Sequence, residues 1–287
     1  MAFKRPVHIS PTIIISLSVL MVFYAIFAFT GPPILAILGP SPPLFTTSRL
    51  PETGEHFLAF RRKTAPAWIY QGLHAAPAIL WSILMPLQHN DSFRRKNPAA
   101  HRSAGYIIIT FSFVLSVTGY WFLISKHAHS HANRYHLHDF GGLSPIPWPT
   151  FEMTLWLLAP PYYVTLYKTA MTARARAFEA HRKWAVAHTI FASAISLQRV
   201  AVTAAYTLGF VLTLFPKEKV HEFFRVGQDL ASVAVAEMDM FALTTSLAGV
   251  MMVSWFLYEF GPAGFSGGVV GSFGRLASRE TPAKKIK

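Results

Sequence analysis

The chain contains no cysteine among its 287 residues. This absence excludes a disulfide framework, a thiolate nucleophile, an iron–sulfur cluster and a zinc site with cysteine ligands. Charged residues are also scarce: they make up 14% of the sequence, and only 13 residues are Asp or Glu. The sequence has neither a glycine-rich phosphate-binding loop nor a Gly-x-Ser-x-Gly element. Nothing therefore indicates a P-loop nucleotide-binding protein or an α/β-hydrolase.

Long apolar stretches are what the chain has in abundance, since 52% of its residues are hydrophobic and the mean hydropathy is +0.35. A helix needs about 20 apolar residues to cross the hydrocarbon core of a bilayer. Stretches of this length cover residues 11–38, 67–88, 104–125, 150–170, 184–214 and 230–258. The sequence therefore predicts an all-α fold, a polytopic membrane helix bundle with about six transmembrane helices.

Basic residues indicate the orientation of the bundle. They are concentrated on one side of the predicted helices, and positive charge is retained in the cytoplasm, so both termini are predicted to be cytoplasmic. We interpret the net charge of +13 as a sign of topology and of attraction to membrane lipid. Because no basic groove with interleaved aromatic residues is present, nucleic acid is not an expected partner. Residues 1–258 are predicted to form one transmembrane bundle domain, and 259–287 a basic, flexible C-terminal tail.

Polar residues in the outer halves of these stretches form a first candidate site. Counting along the predicted helices places His74 and Arg199 at nearly the same depth. A charged residue at the centre of a membrane helix costs at least ~2.5–3.5 kcal/mol, so Arg199 should face the bundle interior and be paired. Such a cluster could be catalytic, or it could simply hold helices together. Its candidate residues are His74, Arg199, Gln71, Gln198, Glu152, Glu237 and Asp239.

A second group of polar residues lies at the predicted cytoplasmic ends of the helices. His101-Arg102 precedes the third stretch and His181-Arg182 precedes the fifth, in equivalent positions. Anchoring to lipid headgroups explains the arginines well but explains the histidines less well. The candidate cofactor-binding residues are His101, His181, His188, His89, Arg102, Arg182 and Trp184.

The outer loop between the third and fourth stretches is rich in histidine and has the sequence "KHAHSHANRYHLHDF". Alternating histidines in an extended strand lie on one side of it, an arrangement that suits a divalent metal such as zinc, copper or nickel. An ordinary solvated loop is the alternative interpretation. The candidate metal ligands are His127, His129, His131, His136 and His138.

Three segments resemble a domain-of-unknown-function family of multi-pass membrane proteins from bacteria and fungi. They read "HAAPAILWSILMPLQ", "RRKNPAAHRSAGY" and "AHRKWAVAHTIFASAISLQR", within roughly residues 70–210. The shared elements are a histidine with a trailing glutamine (His74, Gln88), His-Arg-x-x-Gly (His101, Arg102, Gly105), His-Arg-x-Trp (His181, Arg182, Trp184) and a closing Arg199. The family's usual Met-Ile-Arg after this Trp is replaced by Ala-Val-Ala at 185–187. The resemblance supports the site positions more than a particular chemistry.

The histidines at the helix ends are similar, more loosely, to those of two-haem transmembrane b-type cytochromes. This resemblance implies haem b bound between histidines of facing helices. Because His74 has no second intramembrane histidine at the outer level, a single inner haem is expected, with His101 or His89 facing His188 or His181. Three hypotheses of function follow. The protein is a haem b oxidoreductase or electron-transfer protein, a cofactor-independent membrane enzyme acting on a lipophilic small-molecule substrate, or a metal-binding transport or sensing protein.

Overall fold

The computed structural model describes residues 9–30, 65–127, 133 and 135–261, and this part of the chain is mostly helical. The helices are α1 (Pro11–Thr30), a π-helical segment (Trp68–Ala75) that continues as α2 (Ala76–Gln88), α3 (Asp91–Lys96), α4 (Pro98–Ile124), α5 (Phe151–Arg174), α6 (Phe178–Ala192), α7 (Ala194–Leu212), α8 (Lys217–Phe223) and α9 (Leu230–Phe260). The strands are β1 (Leu137–His138) and β2 (Trp148–Pro149). The all-α prediction is therefore confirmed.

Three helical stretches among the described residues are long and apolar enough to cross a membrane: Pro98–Ile124, Phe178–Leu212 and Val235–Phe260. The second combines α6 and α7, which follow each other with a break at Ser193. The other three predicted spans coincide with α1, with the π-helical segment and α2, and with α5. A count of six crossings and cytoplasmic termini stay predictions, and the predicted tail 259–287 lies almost wholly outside the described residues.

Two groups of packed apolar side chains form the core. The inner core includes Trp81, Ile108 and Ile190, together with residues of α1 and α9. The outer core is built around Phe122 and Phe151, with Val202 and Phe241 packed in the same cluster. Since lipid tails are as apolar as these side chains, close packing and hydrogen bonds between helices are what hold such a bundle together.

A short antiparallel ribbon links α4 to α5 and lies against α9. Leu137 pairs with Pro149, and His138 pairs with Trp148. The chain turns between the two strands through Phe140, Gly141 and Gly142, all with positive φ. Glycine adopts that backbone conformation without steric cost, which explains its use at two of the three positions. The ribbon thereby places His138 beside the outer half of α9.

Candidate functional site

A buried hydrogen-bond node centred on Ser112 joins four helices in the interior of the bundle. Ser112 Oγ accepts a hydrogen bond from Trp81 Nε1 at 2.9 Å and lies 3.1 Å from His188 Nε2. The Tyr162 hydroxyl donates to the backbone carbonyl of Ser112 at 2.7 Å. On the opposite side of the imidazole, Thr165 Oγ1 lies 3.3 Å from His188 Nδ1. The node therefore ties α2, α4, α5 and α6 together.

The same network satisfies both ring nitrogens of His188. The Thr165 hydroxyl can donate to the carbonyls of Pro161 and Tyr162 while its oxygen accepts from His188 Nδ1–H. Ser112 Oγ accepts from Trp81 and can also donate its proton to His188 Nε2. A neutral imidazole satisfies both contacts. A haem iron at His188 would have to break one of these bonds, so the residues around His188 do not fit haem ligation.

The cytoplasmic candidates are brought together at neighbouring helix ends. Gln88 Nε2 donates to the carbonyl of His101 at 3.0 Å, and His101 is close enough to His181 for electrostatic interaction. His181 Nδ1 donates to the carbonyl of Thr169 at 3.0 Å. Within the described residues, His101 Nδ1 is buried without a hydrogen-bond partner. Two imidazoles from α4 and α6 therefore lie near each other at this end of the bundle.

Charged groups surround this histidine pair. Asp91 Oδ1 lies 3.0 Å from Arg94, and its second oxygen lies 4.0 Å from Arg182. His89 Nε2 and Thr189 Oγ1 are 2.9 Å apart, which connects the end of α2 with α6. The two remaining candidates in this group differ in burial, since Arg102 is exposed and Trp184 is half-buried.

The outer candidates have partners on several different elements. His74 lies in the π-helical segment, a local widening that is often found at functional sites, and its Nδ1 is 2.8 Å from Thr118 Oγ1. Gln198 Nε2 donates to Thr245 Oγ1 at 3.1 Å. Gln71 lies three residues before His74 and is half-buried; Glu152 is buried and accepts from Trp156 Nε1 at 3.4 Å. These bonds connect α4 with the π-helical segment and α7 with α9.

Asp239 and His138, which the sequence assigned to two different candidate sites, form one buried pair. His138 Nδ1 and Asp239 Oδ1 are 2.5 Å apart, and the His138 residue is 1% exposed. Trp148 Nε1 donates to the backbone carbonyl of Asp239 at 3.1 Å, and the His136 ring packs edge-on against that of His138. The pair fastens the ribbon to α9. No local pattern predicts it, because 101 positions separate the partners.

Arg199 is partly buried, and the described residues leave two of its nitrogens unsatisfied. Nε and Nη1 are both buried without a hydrogen-bond partner in this part of the chain. The guanidinium carbon lies 5.3 Å from the centre of the Tyr24 ring, and Tyr24 in turn is hydrogen-bonded to Thr203 at 2.9 Å. A contact over the ring face attracts the cation but accepts none of its in-plane N–H groups.

A cleft of about 170 Å³ lies between α7, α8 and α9. Its wall is almost entirely apolar, and its ionisable groups are Glu237, Tyr206 and His221. Tyr206 is close enough to both Glu237 and Arg199 for electrostatic interaction. Glu237 is among the residues predicted from the sequence, whereas Tyr206 and His221 are not. The available signal was the spacing of Val202, Tyr206 and Gly209, which places them on one face of α7.

The histidine-rich loop contains the five predicted metal ligands. His127, His136 and His138 are described, whereas His129 and His131 lie outside the described residues. Within the described ranges, no group of three or more His, Asp or Glu side chains is placed to hold a metal ion. His127 packs against the Trp121 ring at 5.0 Å. A divalent metal bound by this loop stays a prediction.

Comparisons with protein-family models, with curated proteins and with solved structures give no match. The resemblance to the uncharacterised membrane family therefore stays a prediction. The function has to be inferred from the chemistry of the sites themselves.

Replacing Ser112 with alanine should destabilise the bundle. The change removes the shared partner of Trp81 Nε1 and His188 Nε2 and leaves both groups buried and unsatisfied, so we expect the free energy of unfolding to fall by about 1–3 kcal/mol. Ser103→Ala is the matched control, because Ser103 is exposed on the same helix and should change stability by less than about 0.5 kcal/mol. Unfolding of the detergent-solubilised protein, followed by tryptophan fluorescence, measures both. Equal stability of the two variants would contradict the proposed role of the node.

Replacing Asp239 with alanine should loosen the ribbon from α9. Because His138 would lose a charged acceptor in a buried position, we expect a loss of about 1.5–3 kcal/mol in the same unfolding assay. The control is Asp139→Ala, which removes the carboxylate that directly follows His138 in the sequence but is not its hydrogen-bond partner in the pair with Asp239. Limited proteolysis provides a second measurement, and faster cleavage between residues 139 and 147 is expected only for the Asp239 variant. Unchanged cleavage and stability would show that the pair does not fasten the ribbon.

Proposed function

We propose that the chain is an integral, multi-pass membrane protein that binds a lipophilic small molecule in the cleft between α7, α8 and α9. The observation that carries this proposal is the composition of the cleft. Its wall is apolar except for a few polar groups, among which the Glu237 carboxyl group and the Tyr206 phenol are close enough for electrostatic interaction. Ligand sites in proteins typically combine a mostly apolar wall with a few polar groups that orient the ligand. The proposal keeps the lipophilic ligand of the sequence-based hypothesis but assigns it to a different site, since Glu237 is the one residue of the predicted outer cluster that lines the cleft.

The walls of the cleft favour a ligand that partitions into the bilayer. Val202, Leu208 and Leu212 from α7 face Phe241 from α9, while Phe224, the residue that follows α8, contributes a third side. Such surfaces gain little from an ionic or strongly hydrated ligand but pack closely against a hydrocarbon chain or a ring system. The apolar part of the ligand would therefore lie along α7.

Glu237 and Tyr206 would orient the ligand. A carboxylate accepts hydrogen bonds, and a phenol both donates and accepts them, so together they can hold a hydroxyl, amine or carbonyl group on an otherwise apolar molecule. Both also belong to the side-chain types used in general acid–base catalysis, so the same cleft would serve an enzyme acting on such a substrate.

The multi-pass topology that we propose has six spanning helices and both termini in the cytoplasm. It is supported by the three apolar helices long enough to span and by the basic groups at the shared end of α3, α4 and α6. At that end, Arg94 and Arg182 are more than a third exposed and available to lipid headgroups.

Filling the cleft should displace its ligand. Ala205 lines the cleft, and Ala205→Trp would place an indole ring in the space that the ligand occupies. We expect the amount of co-purified lipophilic compound per protein to fall at least about tenfold, equivalent to about 1.4 kcal/mol. Organic extraction of purified protein followed by mass spectrometry measures this amount.

The neighbouring residue provides the control for this experiment. Ala204 is exposed and is not among the residues that line the cleft, so Ala204→Trp should keep the wild-type amount of bound compound. A wild-type protein that carries no lipophilic compound, or an Ala205→Trp variant that carries as much as the wild type, would refute the proposal.

Haem b binding at the cytoplasmic histidines is a second candidate function, favoured by one specific contact. His181 donates its Nδ1–H to the carbonyl of Thr169, which leaves Nε2 as the ligating nitrogen of a neutral imidazole. Haem-ligating and metal-ligating histidines are commonly oriented in this way. His101, the nearby imidazole of α4, would supply the second ligand. When bound, haem b supplies one-electron transfer.

The visible spectrum of the purified protein tests this second candidate. We expect a Soret band that shifts on reduction in protein from haem-supplemented cells, and its loss in His181→Ala because an axial ligand is removed. His221→Ala should keep the band, since His221 lies on α8 beside the cleft. A wild-type spectrum without a Soret band despite ample haem would exclude the haem hypothesis.

A further inference from the structure

We infer that the ligand of the cleft is a lipophilic carboxylic acid whose carboxylate binds Arg199. This inference rests on the proposed function, because it assigns a chemical class to the same ligand. It starts from the two buried Arg199 nitrogens, Nε and Nη1, for which the described residues provide no acceptor. Buried guanidinium donors without an acceptor are rare, and a bound ligand is one way of satisfying them.

The geometry of the guanidinium restricts what can bind it. The Tyr24 ring covers the group from one side, at 5.3 Å from its carbon atom. Nε and Nη1 nevertheless have no hydrogen-bond acceptor among the described residues. A planar fork of N–H donors matches the two oxygens of a carboxylate, which can accept two parallel hydrogen bonds. A neutral hydroxyl would satisfy only part of this fork.

Arg199 lies about one helical turn before Val202, the first residue of α7 that lines the cleft. Val202 and Tyr206 follow it by three and seven residues along α7, so the three lie close to one helix face, and both of the later residues line the cleft. Tyr206 is within electrostatic range of Arg199 and Glu237 alike. A carboxylate bound at Arg199 could therefore extend its hydrocarbon chain along Val202 toward Leu208 and Leu212.

Glu237 introduces a further constraint on this ligand. Its carboxyl group lies across the cleft on α9, near Tyr206, and in its ionised form would repel a bound carboxylate. Arg199 must outweigh this repulsion for an acid to bind. The two residues should therefore have opposite effects: removing Arg199 should weaken the binding of an acid, and neutralising Glu237 should strengthen it. A purely structural role of Arg199 does not predict this opposition.

Competition labelling of the full chain in lipid nanodiscs tests the inference. The probe is a diazirine-bearing analogue of palmitate, and the competitors are palmitate and its neutral counterpart hexadecanol. We expect palmitate to compete at least roughly tenfold better than hexadecanol, because it forms charge-assisted hydrogen bonds with Arg199. The diazirine should cross-link to residues of the cleft, so peptide mass spectrometry should find the label on peptides from α7 and α9.

Four variants separate the possible results. Arg199→Gln should abolish the preference for the acid, Glu237→Gln should increase labelling severalfold, and Arg174→Gln, a control at an exposed residue in the last turn of α5, should change neither. Arg199→Lys keeps the charge without the planar fork and should retain an intermediate preference. Unfolding temperatures of all variants show whether a loss of labelling reflects a loss of folding, in which case Arg199→Lys decides the question.

The outcomes distinguish this inference from the proposed function. Equal competition by palmitate and hexadecanol, together with loss of labelling in Ala205→Trp, would overturn the acid assignment and leave the lipophilic cleft intact. Labelling that Ala205→Trp does not reduce would overturn both. An undiminished acid preference in Arg199→Gln would overturn the role of Arg199.

Discussion

A polar side chain in an apolar helix bundle has to find its partner on a neighbouring helix, and the structure depends on this constraint. Water is excluded from the interior, so every buried hydroxyl, amide or imidazole that lacks a partner destabilises the fold. The Ser112 node satisfies the side chains of Trp81 and His188 at once. The Gln198–Thr245 bond and the His138–Asp239 pair satisfy others in the same way. Polar contacts therefore fix which helices are neighbours, while apolar packing fills the space between them.

Arg199 is one of several exceptions to this pattern among the described residues, together with His101. The Arg199 guanidinium carbon lies 5.3 Å from the centre of the Tyr24 ring, yet two of the buried Arg199 nitrogens have no acceptor among the described residues. In proteins whose buried polar groups are mostly hydrogen-bonded, a buried polar group without a partner often marks a functional site. Arg199 precedes the cleft-lining residues Val202 and Tyr206 along α7, and Glu237 lies within the cleft. A guanidinium and a carboxyl group close to one apolar space can provide both affinity and discrimination between ligands.

The two groups of candidate residues differ in how far the sequence could locate them. The histidines predicted to lie at the cytoplasmic ends are next to helix starts, where the position along the chain fixes their depth, and His101 is close enough to His181 for electrostatic interaction. The outer candidates lie within helices, where partner choice depends on rotation and tilt. His74 contacts α4, Gln198 contacts α9, and Asp239 contacts the ribbon, arrangements that counting residues along a helix does not reveal.

The sequence by itself determined the helical class, the approximate extent of the helices and the residues expensive enough to need a partner, because hydropathy and residue type are local properties. Only the tertiary structure decided which partner each of those residues has. The Asp239–His138 pair, the Ser112 node and the cleft containing Tyr206 and Glu237 join residues that are far apart along the chain. Their formation depends on how the helices pack, and that packing is set by the shapes of all the contacting side chains together.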